Sequence, residues 1–237
     1  MVKLSFGSLS ILATVLAGSQ FVVNALEPFI AEPMKTTLKE ASIVPHLLPE
    51  FEPESFLKIM YGDKVIEHGE EMMPHELVDP PHIWFPAPNM EAQYTLVLFD
   101  ADAHVPLVRH WIVANIEGGK PGSSIRDPLP ENNYTPYHGP TPPLNSGKHR
   151  YVFALYEQAT MNQTTQPVLE DTVHHRAYFD IEQFSKDNNL KLVAATYMRA
   201  EHEDGFEGLA SMHTEGRSSV AGEAVQTPVP VASQMKH

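Results

Sequence analysis

The stretch Gly139-Pro140-Thr141-Pro142-Pro143-Leu144-Asn145-Ser146-Gly147-Lys148-His149-Arg150-Tyr151-Val152-Phe153-Ala154-Leu155-Tyr156 decides the fold. Its first half is crowded with proline, bracketed by Gly139 and Gly147. Proline fixes φ and removes a backbone donor, so this half forms a bent, irregular loop. The second half alternates with a period of two. His149, Tyr151, Phe153 and Leu155 fall on one face, and Arg150, Val152, Ala154 and Tyr156 on the other. A rigid loop therefore feeds a strand that opens with an imidazole and a phenol on the same side. That arrangement suits the rim of a small polar pocket; a buried strand with a polar end would carry the same pattern.

Two further segments read as strong strands. Tyr94–Phe99 is apolar on both faces, the mark of a central strand, and stops at Asp100-Ala101-Asp102-Ala103-His104. His110–Ile116 follows and ends in a glycine-rich turn. In antiparallel neighbours the C-terminal end of one strand meets the N-terminal end of the next. Asp100, His110, His149 and Tyr151 are thus expected to converge at one rim. Imidazoles and a phenol donate hydrogen bonds to an anion, and a carboxylate beside an imidazole orients it and favours its charged form. The constellation points to a pocket for a phosphate, carboxylate or sulfate. Two histidines with a carboxylate are also metal-ligand types, but no H-E-x-x-H spacing supports that reading. No G-x-S-x-G nucleophile turn is present either. No metal or cofactor is expected, and the chain reads as a binding protein rather than an enzyme. Were it to catalyse a reaction, His149 and Asp100 would be the acid–base pair.

The remaining elements are shorter. Met34, Leu38 and Ala41 have helical spacing after Pro33. Ser55–Tyr61 alternates as a strand and Gly62-Asp63 turns it back into Lys64–Glu67. A helical turn is expected at Met73–Glu76 and a strand at Pro81–Trp84. A long irregular loop is read from Ser123 to Ser146, and a polar excursion from Asn162 to Arg176. A short helix over Ile181–Lys186, with Phe179 and Phe184 inward, precedes a last strand over Leu190–Met198. Short strands separated by proline turns predict an all-β-dominated chain with few short helices, folded as an antiparallel β-sandwich.

Residues 1–25 read as a secretory signal peptide. Met1-Val2-Lys3 is a basic start, Leu9–Ala17 an apolar run too short to span a bilayer, and Val23-Asn24-Ala25 a cleavage site of small residues. Residues 26–216 then form one β-sandwich domain, and residues 217–237, rich in Ser, Val, Pro and Gln, a disordered tail. Removing Lys3 leaves the mature chain at about −15, from a full-length net of −14. A surface so acidic repels nucleic acid and anionic lipid, so any anion must be held by a local site. With no cysteine, disulfides and thiolate chemistry are excluded and a sizeable core must carry stability. Asn133-Tyr134-Thr135 and Asn162-Gln163-Thr164 are acceptor triplets for glycosylation at Asn133 and Asn162, in keeping with a secreted protein.

Taken together, these motifs resemble the phosphatidylethanolamine-binding protein (PEBP) family, also called Raf kinase inhibitor protein-like. The resemblance runs from Ile43-Val44-Pro45 to Met198-Arg199-Ala200-Glu201. It is carried by a Y-x-G-x-x-P-P signature at Tyr137–Pro143 and G-x-H-R-Y at Gly147–Tyr151, with Pro81-His82-Ile83-Trp84 and Arg109-His110-Trp111-Ile112-Val113 in support. The family's D-P-D-A-P signature appears as Asp100-Ala101-Asp102-Ala103-His104, with Ala101 and His104 in place of both prolines. The resemblance implies an anion pocket at one end of the sandwich, its residues carrying over to Asp100, Asp102, His110, Pro142, His149 and Tyr151. It implies a small anionic ligand or phospholipid head group. Some members inhibit serine proteases of the carboxypeptidase Y type or regulate kinases. Others are linked to coupling of anhydride monomers in fungal biosynthesis of maleidride polyketides. The lost prolines predict an altered path for the aspartate loop, with Pro106 as a substitute, and His104 as a third imidazole near the rim. The acidic stretch His202–Gly216 stands where the family has a C-terminal helix over the pocket.

The secretory reading is checked by N-terminal sequencing of exported material. The expected first residue is Leu26; an intact Met1 would refute the signal peptide.

Overall fold

A computed structural model describes residues 31–66, 68–105, 107–118, 123–125, 133–163 and 173–206. The first element among the described residues is a helix, α1, over residues 31–40. The strands are β1 (Lys58–Tyr61), β2 (Lys64–Ile66), β3 (Glu70–Met72), β4 (His82–Phe85), β5 (Gln93–Asp100), β6 (Val108–Glu117), β7 (Ser123–Ile125), β8 (Asn133–Thr135), β9 (His149–Gln158) and β10 (Leu190–Ala200). A 3-10 turn covers Pro74–Leu77, and α2 (Val173–Arg176) and α3 (Ile181–Asp187) lie between β9 and β10.

Two sheets result. The smaller runs β2-β1-β4-β7, every pair antiparallel. The larger runs β3-β10-β9-β5-β6-β8 and is mixed, because the edge strand β3 joins β10 in parallel. Between the sheets lie Ile59, Ile83 and Phe85 from the small one against Leu96, Leu98, Trp111, Phe153 and Leu155 from the large one. The opposite face of the large sheet, with Val97, Phe99, Ile112, Val152, Ala154 and Tyr156, packs on Met34 and Leu38 of α1 and Ile181 of α3. Apolar side chains on both faces thus have a cause: every residue of β5 is buried, because its sheet is covered on each side. Each such aliphatic side chain removed from water contributes about 1.5–3 kcal/mol. Both faces read from the alternation of β9 are the faces observed.

The stretch read as one irregular loop, Ser123–Ser146, contains two strands instead. β7 closes the small sheet against β4, and β8 pairs with β6. β3 and α2 were likewise not anticipated. All are three or four residues long, below the length at which periodicity can be counted, and the three strands exist only because a longer strand offers them an edge. No helix among the described residues is long and apolar enough to cross a membrane. The expected signal peptide, the boundary at residue 26 and the C-terminal tail lie outside the described residues.

Gly139 ties the proline loop to the rest of the core. A Cβ there would stand 2.3 Å from the Leu77 carbonyl oxygen, the same oxygen that accepts a 2.7 Å hydrogen bond from the Tyr137 hydroxyl. Gly139→Ala must push the two segments apart and break that bond. The expected loss is about 1–3 kcal/mol, read as a lower urea midpoint at unchanged m-value.

Candidate functional site

β5 runs antiparallel to both β6 and β9, and this brings three strand ends together. Asp100 stands opposite Val108 on one side and Tyr151 on the other. His149 Nδ1 donates to Asp100 Oδ2 at 2.8 Å, and the Asp102 backbone N–H donates to Asp100 Oδ1 at 2.8 Å. Both partners of the first bond are buried. His110 reaches the same place through an irregularity. Along β6, Leu98 pairs with Trp111 and the next residue, Phe99, pairs with Arg109, which leaves His110 as the extra residue of a bulge. The His110 ring then stands edge-on to Tyr151, centroids 5.2 Å apart, while the His149 ring stacks on Tyr151 from 6.4 Å. His110 Nδ1 donates to the His138 carbonyl at 2.8 Å, and the His138 N–H donates back to the His110 carbonyl at 2.9 Å.

Asp100, His110, His149 and Tyr151 are therefore brought together as the strand ends suggested. Asp102 is adjacent but engaged. It accepts from Arg150 Nε at 2.8 Å, Arg150 Nη2 at 2.6 Å and the Arg150 backbone N–H at 2.8 Å. A third arm of the same guanidinium reaches the Ala41 carbonyl. Asp102 thus fastens the loop to β9 and α1 rather than offering a free carboxylate. Pro142 turns its carbonyl to His202 Nδ1 at 3.1 Å. The aspartate loop keeps Asp100 within reach of His149 although Ala101 replaces a proline; the Ala101 N–H is held by the Arg150 carbonyl at 2.9 Å. His104 is exposed and makes no hydrogen bond to the cluster among the described residues, and Pro106 lies outside them. Asn162 is exposed and its side-chain oxygen accepts from Gln93 Nε2 at 3.4 Å, while the side chain of Asn133 lies outside what is described.

The two imidazoles are driven apart electrostatically. Burial would lower the pKa of His149, but the hydrogen bond and charge of Asp100, with Asp102 behind, outweigh it, and the pKa is raised. Burial dominates at His110 and pushes it down to about 4, opposed by the charge of Asp100 and the hydrogen bond to the His138 carbonyl, and helped by the nearby charges of the His138 ring and Arg176. Burial first, and the Asp100 carboxylate next, hold the Tyr151 phenol well above its ordinary value, so it stays protonated. Burial thus favours a neutral His110 and a protonated phenol, while Asp100 favours the charged form of His149. Among the described residues no group of three or more His, Cys, Asp or Glu side chains could hold a metal ion.

Sequence reasoning missed the residues that position this cluster. Arg150 was read only as sharing a strand face with Val152, Ala154 and Tyr156, yet it clamps Asp102. Arg176 is fully buried and donates to the His110 carbonyl at 3.0 Å and the Pro136 carbonyl at 2.8 Å, joining β6 to the segment that carries His138. An arginine in a polar stretch gives no sign of burial. His202 and Glu203 were legible only as acidic, weakly patterned chain; Glu203 accepts from the His75 backbone N–H at 2.9 Å and pairs with His75 Nδ1 at 2.7 Å. An open groove of about 430 Å³, with Glu54, Glu91, Glu157 and Lys191 in its lining, lies where β9 ends and β5 and β10 begin. Its carboxylates make it a poor place for an anion.

The family model for phosphatidylethanolamine-binding proteins matches residues 49–198. CEN-like protein 1 of Nicotiana tabacum is 30% identical over 171 residues, which cover 69% of this chain and 90% of that protein. Two solved structures share the fold. A carboxypeptidase Y inhibitor, crystallised with its cognate proteinase, has a TM-score of 0.62 at 21% identity, over 76% of this chain and 99% of the inhibitor. A phosphatidylethanolamine-binding protein from Plasmodium vivax has a TM-score of 0.61 at 22% identity, over 72% of this chain and 98% of that one.

The opposite shifts of the two histidines give opposite pH slopes. An unfolded His110 takes up a proton near pH 6.5 while the folded one does so only near 4, so stability falls as pH drops through that window, by on the order of 3 kcal/mol. The His149–Asp100 pair acts the other way: its contribution is full below the unfolded histidine pKa and is lost as pH rises through the raised folded value. Chemical denaturation against pH should show both limbs. His110→Gln should flatten the acid limb and Asp100→Asn the alkaline one.

Proposed function

The chain belongs to the phosphatidylethanolamine-binding protein family, and on that premise we propose that it is a secreted binding protein that holds a small anion or phospholipid head group against His149, His110 and Tyr151. One observation carries the reading. A buried imidazole is tied through Nδ1 to a buried carboxylate and retains its charge-bearing tendency where the ring has almost no exposed surface. Holding a histidine so is costly for a purely structural strand end, and it supplies a fixed donor for an incoming oxyanion. The acidic surface makes such a fixed donor necessary: diffuse attraction is not available at a net charge of −14.

Binding here means hydrogen bonds at one strand-end cluster, with Asp100 orienting His149, and Asp102 and Arg150 orienting the loop. The same pair would serve as acid and base if the ligand were an anhydride or dicarboxylate undergoing reaction. The fold shared with a protease inhibitor leaves a protein partner as the competing reading.

Titration calorimetry with phosphate, phosphorylethanolamine and a dicarboxylate separates these. Binding is expected to weaken as pH rises through the raised His149 pKa, and His149→Ala should weaken it about tenfold or more. Equal affinity in both proteins would reject the site. Binding of the dicarboxylate alone would shift the reading to the biosynthetic one. Inhibition of a serine carboxypeptidase with no anion binding would favour the inhibitor.

A further inference from the structure

Two features of the large sheet lie outside the strand-end cluster, and they complement each other. The first stands where β6 begins. Arg109 is half-buried, donates through Nη2 to the His175 carbonyl at 2.6 Å and holds its guanidinium 5.8 Å from the centre of the Phe179 ring. Its Nε is buried without a hydrogen-bond partner, and no carboxylate pairs with it among the described residues. Burial and then the neighbouring Arg176 act against its charge, and no anionic group acts for it. Beside it, Tyr178 is 70% exposed with φ at 56°. Leu107, whose carbonyl accepts from the Phe179 N–H at 3.1 Å, has φ at 45°. Bulky residues rarely adopt this left-handed region, so the aromatic ring is turned into solvent on a strained support. Tyrosine and arginine are also the side chains that most often dominate protein interfaces.

The second feature is the open groove of about 430 Å³ at the other end of the same sheet. Pro88 and the exposed Met90 give it an apolar side. Glu54 is paired there with Lys191 at 2.6 Å, but Glu91 and Glu157 have no cationic partner among the described residues. An arginine without a carboxylate and two carboxylates without a cation thus stand at opposite ends of one sheet. They are separated by the length of β5, eight residues or roughly 25 Å, too far for one molecule to join them. We propose that a second copy of this chain seats Tyr178 in the groove, with Arg109 against Glu91 and Glu157, so that copies associate end to end. The phenol ring would lie against Met90 and Pro88, where a flexible thioether packs well on an aromatic face. The surface that one copy offers is not the surface it receives, so association continues as an open chain instead of stopping at a pair. The net charge of −14 on each copy opposes the contact and keeps it weak, which leaves the attraction to these few groups.

Sedimentation equilibrium of the purified chain over a range of concentrations tests this. The wild-type weight-average mass is expected to climb with concentration and to pass that of a dimer. Tyr178→Asp and Glu157→Lys should each weaken association about tenfold or more while leaving the melting temperature near that of wild type. Mixed in equal amounts, the two variants are expected to form a 1:1 dimer and nothing larger, because each retains the half of the contact that the other has lost. Recovery in the mixture also shows that both variants are folded. A wild type that stays monomeric at every concentration would overturn the proposal. Association that either variant leaves intact would do the same, as would a mixture of two folded variants that stays monomeric.

Discussion

The hydrogen bond between Asp100 and His149 depends on a strand that has no polar side. β5 is buried along its whole length, with the small sheet on one face and α1 on the other, and it runs antiparallel to both of its neighbours. Its position is fixed by apolar contacts on both sides rather than by anything at its end. The end can therefore carry a carboxylate in a buried place, provided that the neighbouring strands supply donors. β9 does so with His149, the loop itself with the Asp102 N–H, and Arg150 steadies the turn that follows. Buried charges that are not fully hydrogen-bonded cost several kcal/mol, so the strand, the loop and the pair have to be assembled together.

Most of the scaffold was legible because it follows from long patterns. The two-sided apolar run of β5 and the alternation of β9 each imply a covered sheet, and both faces of β9 pack as the alternation places them. The meeting of Asp100 with His149 followed from strand direction alone. What was not legible depends on single residues or on pairing. β3, β7 and β8 have no periodicity of their own. The role of Arg150 is invisible in an alternating strand, where an arginine near the strand's end is ordinarily solvated. The loss of two prolines beside Asp100 suggested a changed loop path; backbone and guanidinium bonds from Arg150 hold the carboxylate in reach of His149.

The electrostatic arrangement also differs from what a list of residue types suggests. Two histidines beside aspartates imply two cations. Burial, which acts against charge, and a carboxylate, which acts for it, are distributed unequally, and the result is one imidazole biased toward each state. The imidazole whose charged form is favoured is the one bonded to the Asp100 carboxylate. An anion would be held there by directed hydrogen bonds, and attraction of that kind is less screened by salt than long-range steering.

The bulge at His110 makes chain length, not side-chain identity, the sensitive variable in β6. Trp111 points into the core between the sheets, and strict alternation would send its neighbour His110 to the opposite face, toward the helices. The extra residue puts two consecutive side chains on one side. Removal of the single residue between Arg109 and Trp111 would restore an ordinary ladder and strip the cluster of the His110 imidazole, while leaving every apolar contact of the strand available. A feature that counts as a flaw in the hydrogen-bond ladder is thus the means by which the sheet addresses a third side chain to its end.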